Sequence, residues 1–160
     1  MPSEFPGTGS EWYEITPGER FTIRTSITET DEKYTMLEVL ADPRNGVPLH
    51  VHTNAEEHFV ILEGNVHLVN GDERLDLQAG ESSTVKRGTP HAWCNISDSI
   101  VRMLIIFSPG HMERTFRLIG RLKGEDLATV LESNESDGSE IVGPPPFDDI
   151  YTVLSPRPVG

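Results

Sequence analysis

Residues 46–64 have the sequence Gly46-Val-Pro-Leu-His50-Val-His52-Thr-Asn-Ala-Glu-Glu57-His-Phe-Val-Ile-Leu-Glu-Gly64. Two apolar runs in this segment are separated by residues 53–56, which are polar or small enough to form a turn, so we predict two strands joined by that turn. Residues two apart on a strand share a face at a spacing of roughly 6.6 Å, which places His50 and His52 side by side. Glu57 returns opposite them at the start of the second strand. One metal ion could therefore reach all three side chains.

The chemistry of these side chains limits which metal they suit. Imidazole nitrogens and a carboxylate form a mixed shell that favours iron, manganese, nickel, copper or zinc. Calcium and magnesium bind almost only oxygen ligands. We therefore expect one divalent transition metal ion per chain, and not calcium.

A further candidate ligand follows in residues 80–95, GESSTVKRGTPHAWCN. Residues 86–90 have the composition of a turn, and the strand that we predict after them places His91, Trp93 and Asn95 on one face. His91 is the natural completion of the site that the first segment begins.

The two segments resemble the two sequence motifs of the cupin superfamily. The first segment has the family's glycine, His-x-His, glutamate and closing glycine at matching spacing. The second has the expected residues at four positions, Gly80, Gly88, His91 and Asn95. Lys86 stands where the family has proline, which changes a turn and not a ligand.

This resemblance covers approximately residues 34–110. It implies a double-stranded β-helix, the jelly-roll barrel of the cupins. It also implies one metal site per chain with four ligands: His50, His52, Glu57 and His91.

Glu56 competes with Glu57 for the carboxylate position, because the family allows three or four residues after the second histidine. The period of a strand favours Glu57. Glu57 shares its face with Phe59 and Ile61 and leaves the family's six residues before Gly64. Glu56 would instead bring His58 to the inner side.

The rest of the chain predicts a single all-β domain with helical additions. Residues 21–108 contain short alternating or apolar runs separated by turn residues, typical of an antiparallel barrel. We predict strands over nine runs: 21–27, 34–40, 48–52, 58–62, 66–69, 74–77, 82–85, 91–96 and 100–107. For the runs 34–40 and 100–107 the alternation does not decide which face points inward.

Residues 1–20 are predicted to be an N-terminal extension, and residues 109–160 to pack on the barrel. Met112, Phe116 and Ile119 recur at helical spacing, and Leu127, Val130 and Leu131 predict a second short helix. Residues 134–140 are polar and flexible by composition. We expect an extended tail from Gly143 whose apolar side chains dock on the body or on a second subunit: Ile150, Tyr151, Val153 and Leu154.

Length, charge and cysteine content narrow the partners and the compartment. A chain of 160 residues with 36% hydrophobic residues can form one core. Its net charge of -13 opposes binding to nucleic acid or anionic membranes. The start of the chain lacks the features of a signal peptide, and one cysteine, Cys94, permits no internal disulfide, so we expect a cytoplasmic protein. Edge strands and the tail lead us to expect a homodimer.

Residues 108–116 are also similar to small one-domain cupins of the quercetin dioxygenase type. That resemblance implies a metal-dependent dioxygenase acting on a small hydroxylated aromatic or enol, with Glu57 as the general base. Phe59, Ile61 and Trp93 share faces with the ligand positions and are expected to form an apolar substrate wall.

Two alternatives stay open. One is a non-redox metal-dependent enzyme, such as an isomerase, cyclase or decarboxylase, and the other is a cupin that binds a small molecule without turnover. Glu57, together with the placement of Cys94 on the opposite face from Trp93, argues against the thiol dioxygenase branch of the family, whose metal is held by histidines alone.

Overall fold

A computed structural model describes residues 11–121, 139–144 and 146–147, which form eleven strands and two helices. The strands are β1 (Tyr13–Thr16), β2 (Glu19–Thr25), β3 (Thr35–Ala41), β4 (His50–His52), β5 (Glu56–Glu63), β6 (Asn65–Asn70), β7 (Glu73–Gln78), β8 (Ser82–Val85), β9 (His91–Cys94), β10 (Val101–Ser108) and β11 (Ser139–Ile141). The helices are α1 (Ile27–Thr30) and α2 (Met112–Arg121). No helix in these described residues is both long and apolar enough to span a membrane.

The strands form two antiparallel sheets. One sheet has six strands in the order β1-β2-β3-β10-β5-β8, and the other has five in the order β11-β4-β9-β6-β7. Most neighbouring strands in both sheets are distant in sequence, as in a double-stranded β-helix. The predicted all-β fold is confirmed.

Each of the nine predicted runs coincides with a strand, and two of them end early. The first stops at Thr25 because Ser26 caps α1: its hydroxyl accepts a hydrogen bond from the Thr28 amide, and Glu29 accepts one from the Ser26 amide. The run at 91–96 stops at Cys94. The first predicted helix corresponds to α2, whereas the second predicted helix and the four apolar tail residues lie outside the described residues.

Two strands were not predicted from the sequence. β1 lies within the predicted N-terminal extension and pairs with β2, so the sheet begins earlier than residue 21. β11 corrects the expectation that residues 134–140 are wholly flexible, because Ser139–Ile141 pair with β4. Backbone hydrogen bonds to a neighbouring strand can order a polar segment whatever its side chains.

The structure shows which faces of β3 and β10 point into the barrel. Leu37 and Val39 on β3 are buried in the core, as are Met103 and Ile105 on β10. The alternate residues of these strands therefore face outward. Glu38 is nevertheless buried on that outer face. Its carboxylate is compensated there by ion pairs with Arg24 at 2.9 Å and with Arg102 at 3.2 Å.

Helix α2 packs on the barrel through a buried carboxylate at its first turn. Glu113 accepts hydrogen bonds from the Ser26 hydroxyl at 3.0 Å, the Ile27 amide at 3.1 Å and the Thr35 hydroxyl at 2.8 Å. These bonds join the helix to α1 and β3. The helix consequently becomes part of the wall around the barrel interior.

The interior packing of β5 yields a stability prediction. Phe59 is fully buried, so Phe59→Ala is expected to lower the free energy of unfolding by about 3–5 kcal/mol, measured by urea denaturation. The matched control is Ile100→Ala, at a side chain that is 49% exposed, with an expected change within about 0.5 kcal/mol. Equal effects of the two substitutions would contradict this assignment of the core.

Candidate metal centre

The four predicted ligands lie together in the structure. His50, His52, Glu57 and His91 each offer a ligand atom, and these atoms all lie within 4.8 Å of one another. We call these four residues the ligand cluster. It is the arrangement expected from the two sequence segments.

The ligand cluster joins the two sheets. His50 and His52 lie on β4 with ring centroids 4.7 Å apart, and cross-strand pairing places His91 of β9 beside His50 at 4.1 Å. Glu57 comes from β5 in the other sheet. Its Oε2 atom is 2.7 Å from His91 Nε2 and 3.2 Å from His52 Nε2. The site therefore exists only where the two sheets face each other.

The register of β5 separates the two candidate glutamates. Glu57 is buried and points into the barrel with Phe59 and Ile61. Glu56 is partly exposed and lies 3.7 Å from the His58 imidazole on the other face. The strand period that favoured Glu57 in the sequence is the one that the structure shows.

Outward hydrogen bonds orient the imidazoles toward a common centre. His50 Nδ1 donates to the Pro48 carbonyl at 2.7 Å, and His91 Nδ1 donates to the Thr89 carbonyl at 2.9 Å. Since a carbonyl only accepts, these bonds put a proton on Nδ1 and direct Nε2 inward. His52 Nδ1 is 2.7 Å from the Ser139 hydroxyl. Such anchoring of the second ring nitrogen is typical of metal-binding histidines, so the donor set fits one transition metal ion.

Burial and mutual charge set the protonation of the ligand cluster. Burial, with smaller contributions from His91 and His52, lowers the pKa of His50 to about 3. Burial would raise the pKa of Glu57, but the charge of His91 and hydrogen bonds from His52 and His91 outweigh it and hold that pKa below its ordinary value. Burial would lower the pKa of His91, but the charge and hydrogen bond of Glu57 raise it instead. His91 and Glu57 thus form a buried ion pair.

A cavity of about 140 Å³ adjoins the ligand cluster, and His50, His52 and Glu57 form part of its wall. His91 is fully buried behind them. The rest of the wall is mainly apolar and includes Val39, Trp93, Ile105, Phe107, Met112 and Phe116. A ligand in this cavity would meet the Glu57 carboxylate and two imidazoles in otherwise apolar surroundings.

The three predicted substrate-binding residues have different positions. Trp93 lines the cavity. Phe59 and Ile61 point inward as expected, but they lie in the core and are not part of the cavity wall. They follow Glu57 along β5 at intervals of about 6.7 Å, which carries them away from the ligand cluster. Phe59 and Ile61 therefore belong to the core beside the cavity, and their contact with a substrate stays a prediction.

Several residues of the site were missed in the sequence. Ser139 and the helix residues Met112 and Phe116 come from segments after the second motif, and Glu19 comes from the strand that follows β1. The Pro17-Gly18 step before Glu19 is a turn signal that could have indicated the β1–β2 hairpin. No local pattern indicates that Ser139 returns to His52.

A family model described as "Cupin domain" matches residues 37–107, a span that contains the whole ligand cluster. The chain therefore contains a cupin domain. The chain is also 24% identical over 110 residues to quercetin 2,3-dioxygenase of Bacillus subtilis, an alignment that covers 64% of this chain. That alignment spans 32%, about a third, of the length of the Bacillus protein.

Solved structures share the fold of this cupin domain. KdgF from Halomonas sp. is 16% identical with a TM-score of 0.60, covering 69% of this chain and 96% of that one. The polyketide cyclase RemF from Streptomyces resistomycificus is 19% identical with a TM-score of 0.55, covering 64% and 75%. At these identities the likeness extends to the fold alone.

Paired substitutions test the carboxylate ligand. We expect Glu57→Gln to lower the zinc content of purified, zinc-loaded protein by about tenfold or more, because an amide is a weak metal ligand and leaves the buried His91 without its anion. Glu56→Gln, the matched control one residue away, should keep the metal. Elemental analysis measures both, and equal metal content in the two variants would contradict the assignment.

Metal affinity should also depend on pH. The pKa of His91 is raised above 6.5, so its Nε2 keeps its proton to a higher pH than a free imidazole, and this proton must leave before a metal binds. We expect zinc affinity to fall by about tenfold per pH unit once the pH is below that raised pKa. Calorimetric titration in buffers of different ionisation enthalpy measures the affinity and the protons released. An affinity that stays constant between about pH 8 and about pH 6 would contradict the prediction.

Proposed function

We propose that this protein is a metal-dependent cupin enzyme that oxygenates a hydroxylated aromatic or enol substrate. The observation that carries the proposal is an apolar cavity with three members of the ligand cluster in its wall. Convergent metal-binding groups in an apolar concave site are typical of a catalytic centre.

The ligand cluster supplies the means of holding the ion. A bound transition metal ion would polarise a substrate oxygen and, if redox-active, exchange electrons with substrate and dioxygen. Three imidazoles and one carboxylate leave one or two positions of a five- or six-coordinate ion for other ligands. Because Glu57 and the imidazoles of His50 and His52 border the cavity, a substrate bound there would lie beside the ligand cluster.

Glu57 is the residue that would hold the substrate's hydroxyl proton. Its Oε2 accepts hydrogen bonds from His52 and His91, and the charge of His91 together with these bonds lowers the pKa of Glu57. An imidazole that binds a metal through Nε2 has no proton there to donate, so the Glu57 carboxylate would be released from these two hydrogen bonds in the loaded protein. A carboxylate beside a Lewis acid can then accept the proton as the substrate oxygen binds.

The apolar wall would position the substrate and exclude water. Trp93, Phe107 and Phe116 present aromatic surface to the cavity, which suits a flat ring better than a sugar or a phosphate ester. The similarity to the Bacillus quercetin 2,3-dioxygenase supports oxygenase chemistry over about a third of that protein's length.

The remaining features of the protein stay predictions. We propose a small organic molecule as the substrate, a homodimer as the oligomeric state and the cytoplasm as the location. The net charge of -13 supports the expectation that nucleic acid and anionic membranes are not partners.

Metal replacement tests the chemistry. Apoprotein would be reconstituted with iron, manganese, nickel, copper or zinc, and oxygen uptake measured with quercetin and with single-ring catechols. We expect uptake with at least one redox-active ion, none with zinc, and a loss of about a hundredfold or more in Glu57→Gln relative to Glu56→Gln.

The other outcomes identify the alternatives. Full turnover with zinc in the absence of oxygen would show a non-redox enzyme. Binding of these compounds without turnover under any metal would show a binding protein.

A further inference from the structure

We propose that Glu19 is a substrate-binding residue that holds the distal polar end of an elongated ligand, whose other end carries the hydroxyl directed at the ligand cluster. This inference rests on the proposed function only for the reacting end of the ligand. The recognition of the distal end depends on Glu19 and on the shape of the cavity.

Glu19 faces the barrel interior at the start of β2. The preceding Gly18 has a φ of 89°, a left-handed conformation that suits glycine, and makes the turn between β1 and β2. Glu19 then points inward on the same face as Phe21. Its side chain is 4% exposed and forms part of the cavity wall.

The strand register places Glu19 far from the ligand cluster. Glu57 pairs with Phe107, which pairs with Thr35 at the start of β3. Glu19 pairs with Ala41, six residues further along β3, an offset of roughly 20 Å along the strands.

A row of aromatic rings runs from the ligand cluster toward Glu19. His52 contacts Phe107 at 5.5 Å between ring centroids, Phe107 contacts Phe116 at 5.6 Å, and Phe116 contacts Phe21 at 5.3 Å. Phe21 is two residues from Glu19 on β2. A cavity of about 140 Å³ that reaches from the ligand cluster to Glu19 is therefore narrow, and a ligand that contacts both must be longer than one aromatic ring.

The buried carboxyl group of Glu19 has little hydrogen bonding to offset its loss of contact with water. Within the described residues its hydrogen bond is with the Thr16 hydroxyl at 3.5 Å, and it forms no ion pair there. Burial raises the pKa of Glu19 to about 7, with Thr16 lowering it slightly. A buried polar group with one long hydrogen bond is costly unless a further partner binds it.

The polarity of the cavity indicates what that partner is. Outside the ligand cluster, the acidic residues of the wall are Glu19 and Glu140, and Glu140 is exposed on β11. A neutral carboxylic acid both donates and accepts a hydrogen bond, so Glu19 suits a hydroxyl or carbonyl group. The ligand is therefore a narrow, mainly apolar molecule with an oxygen function at each end.

The test uses a series of probe molecules of increasing length, and it needs no knowledge of the natural substrate. The probes are 4-(ω-hydroxyalkyl)phenols of increasing chain length, each compared with the 4-alkylphenol that lacks only the terminal hydroxyl. Binding is measured by calorimetry to zinc-loaded protein, in which no oxygen chemistry consumes the probe. At one chain length the terminal hydroxyl should improve affinity by about tenfold, the effect of one well-formed buried hydrogen bond.

Two variants and a control assign that gain to Glu19. Glu19→Gln should keep the gain, because an amide also donates and accepts, whereas Glu19→Leu should abolish it. Glu14→Gln makes the same charge change at an exposed residue of β1 and should bind like the original protein. Thermal unfolding checks that each variant is folded, and Glu19→Gln keeps the test valid if Glu19→Leu does not fold.

The inference is wrong if no probe binds, if the terminal hydroxyl improves affinity at no chain length, or if the gain survives in Glu19→Leu. Loss of the gain in Glu19→Gln would also overturn it, because it would show recognition by charge. Repeating the series with His91→Ala separates the two proposals. A gain that persists without bound metal supports the role of Glu19 even where the metal-dependent function fails.

Discussion

The buried carboxylate of Glu57 is the constraint on which the rest of this site depends. An ionised carboxylate inside a barrel is tolerated only where positive or hydrogen-bonding groups surround it, and here His91 and His52 do so from the opposite sheet. Those imidazoles can face Glu57 only because their outer nitrogens are held by Thr89 and Ser139. The same arrangement that stabilises the carboxylate directs the ring nitrogens toward a metal.

The two-sheet barrel provides this geometry. Strand alternation on β4 and β5 directs His52 and Glu57 inward while Glu56 faces out, and Helix α2 is fixed through the buried Glu113. Since these contacts belong to the framework, the site could accept different chemistries without a change of fold.

The cavity carries more information about the substrate than the metal ligands do. Three imidazoles and a carboxylate describe how an oxygen function could be activated. The apolar wall and the buried Glu19 describe what else the molecule must contain. Under the proposed function, chemistry and recognition are divided between two ends of one cavity, with the ligand cluster between the sheets and Glu19 beside the β1–β2 turn.

The sequence by itself determined the identity of the ligand cluster, the choice of Glu57 over Glu56 and the nine central strands. The strands and the choice of Glu57 follow from local rules, because the period of a strand directs each side chain relative to its own backbone. The full ligand set is what the resemblance to the cupin motifs implies. Phe59 and Ile61 mark the limit of those rules, since sharing a face with Glu57 does not show how far along the cavity a residue lies. Only the tertiary structure decided that Glu19 belongs to the wall, that Ser139 holds His52 and that β11 pairs with β4. Such contacts join residues far apart in the chain, and no local pattern encodes which distant strands will meet.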